Sequence, residues 1–231
     1  MTEAIILAGG FGARLRGVVS DVPKPMAPMG GKPFLEILLQ ALRAKGVERV
    51  TLSVGYMAEI IINHFGSRFG TMEINYVVED QPLGTGGAIR LALESVADDY
   101  ALVMNGDTFM DIEVSLIDNQ YNEKHRPIIA ACEVENTERY GRVFHRGGVI
   151  TGFGEKAAKG RGLINAGCYV MAKDELSHFA LGKKFSFEND YLQHAVQNRK
   201  FDIFITKGDF VDIGIPEDYY RAKTLLERFI H

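Results

Sequence analysis

The sequence has only two cysteines, Cys132 and Cys168, in 231 residues. Both sit in apolar, strand-like stretches, and they read as small buried residues rather than a disulfide or a metal pair. Positive charge is not in excess either. Lys and Arg number 26 against 30 Asp and Glu, a net charge of −4, with no basic stripe and no aromatic platform, so nucleic acid is excluded as a partner. Any anionic ligand has to be met by local cations. No apolar run approaches a membrane span. The N-terminus enters a strand without a basic n-region or an apolar h-region, and no N-x-[ST] site occurs, so no signal peptide and a cytoplasmic location are expected. His64, His125, His145, His178, His194 and His231 are scattered, none at a metal-ligand spacing. There is no internal repeat, no low-complexity segment, no β-helix hexapeptide and no linker, so residues 1–231 are expected to form one domain.

What is present is an ordinary globular balance, 46% hydrophobic and 24% charged. Strand-like and helix-like stretches alternate through the first half. Strands are expected at residues 3–8, 49–55, 73–79 and 100–104, and helices at 33–45, 58–65, 88–96 and 114–124. This alternation predicts an α/β fold, a Rossmann-like doubly wound, mainly parallel sheet flanked by helices. From Pro127 the pattern turns β-rich, with strands at 128–134, 141–144, 149–154, 163–171, 201–205 and 209–212. Helices are expected at 187–197 and from Pro216 onward.

The stretch Ile5–Leu15, IILAGGFGARL, runs from a buried strand into a turn of small residues. Glycines let backbone N–H groups approach a ligand, and amides in such a turn form an anion-binding concavity. Arg14 adds a permanent charge just beyond it. The dinucleotide fingerprint fails, because Leu15 stands where its third glycine belongs. A P-loop fails as well, since Gly31-Lys32 is followed by Pro33 and Met26 replaces the first glycine. Three prolines between Pro23 and Pro28 are expected to hold that segment extended. Lys24 there is either a solvated residue on a stiff connector or a cation pointed back at the glycine loop. A second glycine-rich strand-to-helix turn follows at Gly84–Gly87. Asp107 ends a buried strand, where open α/β sheets place their ligands. Arg14, Lys24, Asp107 and Asp212, with the two glycine turns, have the composition of metal-assisted phosphoryl chemistry. The 105 residues between the two aspartates leave open whether they meet.

The motifs IILAGGFGARL, PKPM, PLGTGGA, NGD, Glu155-Lys156, Asn165-Ala166-Gly167-Cys168-Tyr169 and FVDIGIPEDY, in this order across nearly the whole chain, resemble those of the sugar-1-phosphate nucleotidyltransferases. The likeness is strongest to the branch that uses GTP and a heptose or hexose 1-phosphate. It implies a nucleotide-binding half over about 1–126 and a sugar-phosphate half over about 127–231. It implies that Leu7, Ala8, Gly9, Gly10 and Gly12 hold the nucleotide and its phosphates, with Gly84 and Thr85 against base and ribose. Arg14, Lys24 and Asp107 would be catalytic. Arg14 would sit on the leaving pyrophosphate and Lys24 between the α-phosphate and the sugar phosphate. Asp107 and Asp212 would hold Mg²⁺. Lys156 would bind the sugar phosphate, and Glu155 and Asn165 the sugar hydroxyls, with Asn105, Gly106, Tyr140, Gly141 and Gly167 in the same subsite. A degenerate, non-catalytic relative would have lost one of the four charged residues, and all four are present.

Base choice has a physical handle. In similar uridylyl- and thymidylyltransferases a glutamine precedes the second glycine turn. This chain has Glu79 in that place. A carboxylate only accepts, which suits the adjacent N1–H and N2–H₂ of guanine and repels O4 of uracil. GTP is therefore expected. The chain stops soon after its Asp212 motif, so no acyltransferase-like or β-helical extension is expected, and a monomer or homodimer is.

Overall fold

A computed structural model describes residues 2–10, 15, 17–19, 21–154 and 159–229. The elements in chain order are β1 (Glu3–Leu7), a 3-10 turn (Lys24–Met26), β2 (Pro28–Met29), β3 (Lys32–Pro33), α1 (Phe34–Ala44), β4 (Arg49–Val54), α2 (Ala58–Phe65), β5 (Arg68–Phe69), β6 (Met72–Val78) and α3 (Gly84–Leu93). Then follow β7 (Tyr100–Asn105), β8 (Thr108–Met110), α4 (Val114–Lys124), β9 (Ile128–Val134), β10 (Val143–Arg146), β11 (Val149–Phe153) and β12 (Gly162–Ala172). The last are a π-helix (Phe187–Leu192), α5 (Gln193–Asn198), β13 (Asp202–Thr206), β14 (Phe210–Asp212), α6 (Pro216–Leu225) and a 3-10 turn (Glu227–Phe229).

The α/β expectation holds. One ten-stranded sheet runs β10-β11-β13-β9-β12-β7-β1-β4-β6-β5, and β7, β1, β4 and β6 are mutually parallel. The uninterrupted apolar run of β1 has a simple cause. The pleat sends Ile5 and Ile6 to opposite faces, both fully buried, Ile5 into the cluster with Ile89 and Leu93 of α3 and Ile6 into the one with Leu38 and Leu42 of α1. Each such side chain contributes about 1.5–3 kcal/mol on burial. Because the chain leaves β1 toward β4 on one side and pairs β7 on the other, a crevice opens at the carboxyl end of β1.

Beyond β7 the sheet changes character. β12 is antiparallel to both β7 and β9, and its register slips between Asn165 and Cys168. Gly167 sits in that bulge at φ +67°. A separate ribbon pairs β14 with β8, opposite in direction, setting Asp212 beside Thr108. Cys132 and Cys168 are buried free thiols, as expected, and burial pushes the Cys132 thiol up to about 12.

The structure corrects several boundaries. The Pro23–Pro28 segment contains a 3-10 turn, which tolerates Pro25 because a first-turn N–H has no intrahelical acceptor to lose. Gly84–Gly87 is not a loop ahead of its helix but the first turn of α3. The helix expected over 187–197 is split between the π-helix and α5. The short strands β2, β3, β5 and β8 carry too few residues for a period to show.

Candidate active site

At the carboxyl ends of the parallel strands the register puts Leu7 level with Ser53 and Asn105. The turn after β7 is tight because Gly106 donates its N–H to the Leu7 carbonyl at 2.9 Å, and a Cβ there would stand 2.6 Å from that oxygen. Asp107 is thereby turned toward Lys24. The Lys24 Nζ lies 2.6 Å from Asp107 Oδ2 and 3.9 Å from Asp212 Oδ1, with the lysine side chain 9% exposed. The stiff proline segment therefore points its lysine inward. Burial, and then the Asp107 charge, push the Asp212 carboxyl above the usual range, while Lys24, the Gly214 N–H and Arg139 pull it back. Two carboxylates and one ammonium from three distant segments converge here.

Two clefts meet at this group. The first, about 390 Å³, is lined by Leu7, Gly9, Gly10, Glu79, Gly84 and Thr85, together with Lys24, Asn105 and Asp107. The second, about 620 Å³, is lined by Tyr140, Gly141, Asn165 and Gly167, together with Asn105 and Asp212. Asn105 belongs to both. Ala8 and Gly106 line neither cleft. Ala8 is fully buried and its N–H donates to the Ser53 carbonyl at 2.7 Å, so that amide is not free for a phosphate. Gly12, Arg14, Glu155 and Lys156 lie outside the described residues.

Glu79 is held in place. Its Oε2 accepts the Leu83 N–H at 2.9 Å, and its Oε1 accepts the Ser53 hydroxyl at 3.3 Å. A Cβ on Gly9 would stand 2.8 Å from Oε1, so glycine there lets the carboxylate reach the cleft. Each oxygen keeps a lone pair for a ligand. Thr85 is committed differently, since its Oγ1 accepts the Phe187 N–H at 2.9 Å.

In the second cleft, Asn165 donates to the Tyr169 hydroxyl at 2.9 Å and accepts the Gly167 N–H at 3.0 Å. The Tyr140 ring packs edge-on to Phe210 at 5.8 Å. Burial, then the Asp212 charge, raise the Tyr140 hydroxyl above the ordinary phenol value. Four polar lining residues were not singled out in the sequence: Arg139, Glu188, Asn189 and Gln193. Arg139 pairs with Asp218 of α6 and lies 5.6 Å from the centre of the Tyr140 ring. Its place beside Tyr140 was the one available signal. For Glu188 and Asn189 there was none, because the face a π-helix presents does not follow the 3.6-residue period, and Gln193 follows directly from that helix.

The chain belongs to the nucleotidyl transferase family, whose sequence profile matches residues 3–228. Its relatives are named more narrowly. It is 41% identical, over 99% of this chain and all of the other, to the D-glycero-alpha-D-manno-heptose 1-phosphate guanylyltransferase of Aneurinibacillus thermoaerophilus. It is 43% identical, over 94% of this chain and 97% of the other, to the protein of that name from Campylobacter jejuni subsp. jejuni. Among solved structures, HddC from Yersinia pseudotuberculosis superposes with a TM-score of 0.87 at 36% identity, covering 98% of this chain and 100% of that one. Its complex with GMP-PN superposes at 0.86.

Proposed function

We propose that this protein transfers GMP from GTP to D-glycero-D-manno-heptose 1-phosphate, giving GDP-heptose and pyrophosphate. The observation that carries the reading is the Lys24–Asp107–Asp212 group at the junction of two clefts, with Lys24 2.6 Å from one carboxylate and 3.9 Å from the other. A heptose 1-phosphate in the second cleft and a nucleoside triphosphate in the first bring their reacting phosphates to that junction.

The residues fit Mg²⁺. Asp107 and Asp212 are hard oxygen donors, and burial together with the Asp107 charge holds the Asp212 carboxyl above its usual range, a cost that a divalent cation would relieve. Among the described residues no group of three or more acidic, His or Cys side chains is placed to hold a metal ion, so substrate phosphate and water would have to supply the remaining ligands. When bound, the ion neutralises phosphate charge. The chain's own groups do the rest. Lys24 holds the α-phosphate against the sugar phosphate. The Gly9–Gly10 backbone and Arg14 hold the β- and γ-phosphates, and Lys156 holds the sugar phosphate, with Glu155 and Asn165 on hydroxyls. A sugar-phosphate oxygen bonds to the α-phosphorus in line, the bond to the β-bridging oxygen breaks, and pyrophosphate leaves. The attacking monoester is already anionic, so no protein nucleophile or base is required, and catalysis is alignment plus charge neutralisation. Glu79 selects guanine by accepting its two adjacent donors.

Residues 1–231 act as one domain in this reading, as a monomer or homodimer in the cytoplasm, supplying an activated heptose for a bacterial surface polysaccharide such as capsule, S-layer glycan or lipopolysaccharide. The test is pyrophosphate release with Mg²⁺ across four nucleoside triphosphates and several sugar 1-phosphates. Release confined to GTP and the heptose phosphate is expected. Release with GTP and mannose 1-phosphate instead moves the sugar, and release with UTP, dTTP or CTP defeats the reading of Glu79.

A further inference from the structure

The π-helix Phe187–Leu192 stands where the sequence predicts one plain helix, and π turns of this kind are rare and cluster at functional sites. Three sets of contacts hold it. At its start, the Ser186 hydroxyl accepts the Asn189 N–H at 3.1 Å and the Asp190 carboxylate accepts the Ser186 N–H at 2.7 Å. On its buried side, the Phe187 ring packs edge-on to Tyr169 at 4.8 Å, and the Tyr191 hydroxyl donates to Glu175. That carboxylate is 2% exposed and is also paired with Arg199 at 2.9 Å.

The third set comes from the first cleft. The Phe187 N–H donates to Thr85 Oγ1 at 2.9 Å, the Gly86 N–H to the Phe185 carbonyl at 3.0 Å, and the Phe185 N–H to the Leu83 carbonyl at 3.0 Å. The small residues of α3 serve this docking. A Cβ on Gly84 would stand 2.6 Å from the Phe185 carbonyl oxygen, and one on Gly87 2.6 Å from that of Lys183. The second glycine run is thus a seat for the segment that leads into the π-helix.

So held, the π-helix lines the second cleft with Glu188 and Asn189, and Gln193 at the start of α5 continues the lining, in the same cleft as Gly141 and Asn165. The Tyr169 hydroxyl receives its hydrogen bond from Asn165, which leaves its own proton to donate, and the Glu188 carboxylate is the neighbouring acceptor. Asn165 and Glu188, which both line the cleft, are thus linked behind it through the buried Tyr169. A carboxylate flanked by two amides is a donor-and-acceptor set suited to the adjacent hydroxyls of a polyol.

We propose that the π-helix is the sugar-reading element of the second cleft, with Glu188 contacting sugar hydroxyls and Thr85 the positioning residue that holds the helix from the nucleotide side. The inference rests on the functional reading above, which places the sugar phosphate in this cleft. It reassigns Thr85, a residue lining the first cleft, to recognition in the second.

The experiment is steady-state kinetics with Mg²⁺, GTP and heptose 1-phosphate on wild type, Glu188→Gln, Thr85→Val and Thr85→Ser. Glu188→Gln should raise KM for the sugar phosphate at least about tenfold, the size of one charge-assisted hydrogen bond. KM for GTP should stay within about twofold. Thr85→Val should shift the sugar-phosphate KM in the same direction, and Thr85→Ser should restore it. An unchanged sugar-phosphate KM in Glu188→Gln overturns the proposal. A rise in KM for GTP alone in Thr85→Val makes Thr85 a nucleotide contact and overturns its assignment. Should Thr85→Val not fold, the Thr85→Ser and Glu188→Gln pair decides. Wild-type turnover tests the function itself. Calorimetric binding of heptose 1-phosphate to wild type and Glu188→Gln repeats the comparison without turnover, so failure of one reading is separable from failure of the other.

Discussion

The two clefts are built by different rules. The first sits at the carboxyl ends of β1, β4, β6 and β7, where parallel strands stop at one level and each hands its chain to a short turn. Its residues therefore fall near one another in local stretches such as Leu7, Gly9 and Gly10; Glu79, Pro82, Gly84 and Thr85; and Asn105 and Asp107. The second lies against an antiparallel region, where β12 passes between β7 and β9 and exposes one face of its bulge. Its lining comes from Asn105 and Thr108, Arg139–Gly141, Phe153 and Gly154, Asn165–Gly167, the π-helix, Gln193 and β14, segments spread over more of the chain. A parallel sheet concentrates a site at strand ends. An antiparallel one distributes it along strand faces and returning loops.

Substitutions can break or sharpen this contrast. The largest effect is expected at the junction. Asp107→Asn keeps the shape and removes one of the two carboxylates, and should lower kcat by about 10²–10³ with the unfolding midpoint little changed, as loss of a preorganised electrostatic group does. An equal loss from Asp212→Asn would mark the two aspartates as one unit, whereas unequal losses would assign the ion-holding role mainly to one.

Glu79→Gln should act on the first cleft alone. The preference for GTP over UTP, taken as the ratio of kcat/KM values, should fall by about 10–100-fold, the range of one hydrogen bond to a charged acceptor. The sugar-phosphate KM should not move. If it does, the two clefts are not independent.

Gly167→Ala should affect both clefts through one atom. The residue has φ +67°, and its added Cβ would lie 2.3 Å from Asn105 Nδ2, which lines both. A cost of about 1–3 kcal/mol in stability is expected, read as a lower Tm, with both KM values raised.

The smallest effect is in pH dependence beneath the second cleft. Burial pushes the Glu175 carboxyl above its ordinary 4.5, against the bonds from Tyr191 and Arg199 that lower it. A folded-state value above the unfolded one gives stabilisation that is complete below the unfolded value and is lost as pH rises through the folded value. The denaturant midpoint of wild type should therefore fall relative to Glu175→Gln as pH rises above 4.5. Parallel curves for the two proteins would remove Glu175 as the source.

Much of the first cleft was legible because its cues are local. The bounds of α2, α4 and β9 follow from apolar periodicity and are found as expected. Glu79, Gly84 and Thr85 were placed by the family resemblance of their motif, and all three line the first cleft. Periodicity could not tell that the glycines of α3 form a helical turn, because the reason is the backbone of Lys183–Phe185 packed on them from about a hundred residues away. The same holds for the π-helix, whose register depends on Tyr191 meeting Glu175 and on Phe187 meeting Thr85.

The sequence by itself determined the α/β class, the buried central strand and the identities of the charged groups at the strand ends, because short-range sterics and hydrophobic period act between neighbours along the chain. Only the tertiary structure decided that Asp107 and Asp212 meet at Lys24, that Thr85 accepts the Phe187 N–H, and that Glu188 lines a cleft. Those are contacts between segments far apart in the chain: the pairing of β14 with β8 sets the first, and the docking of Phe187 on Thr85 the second.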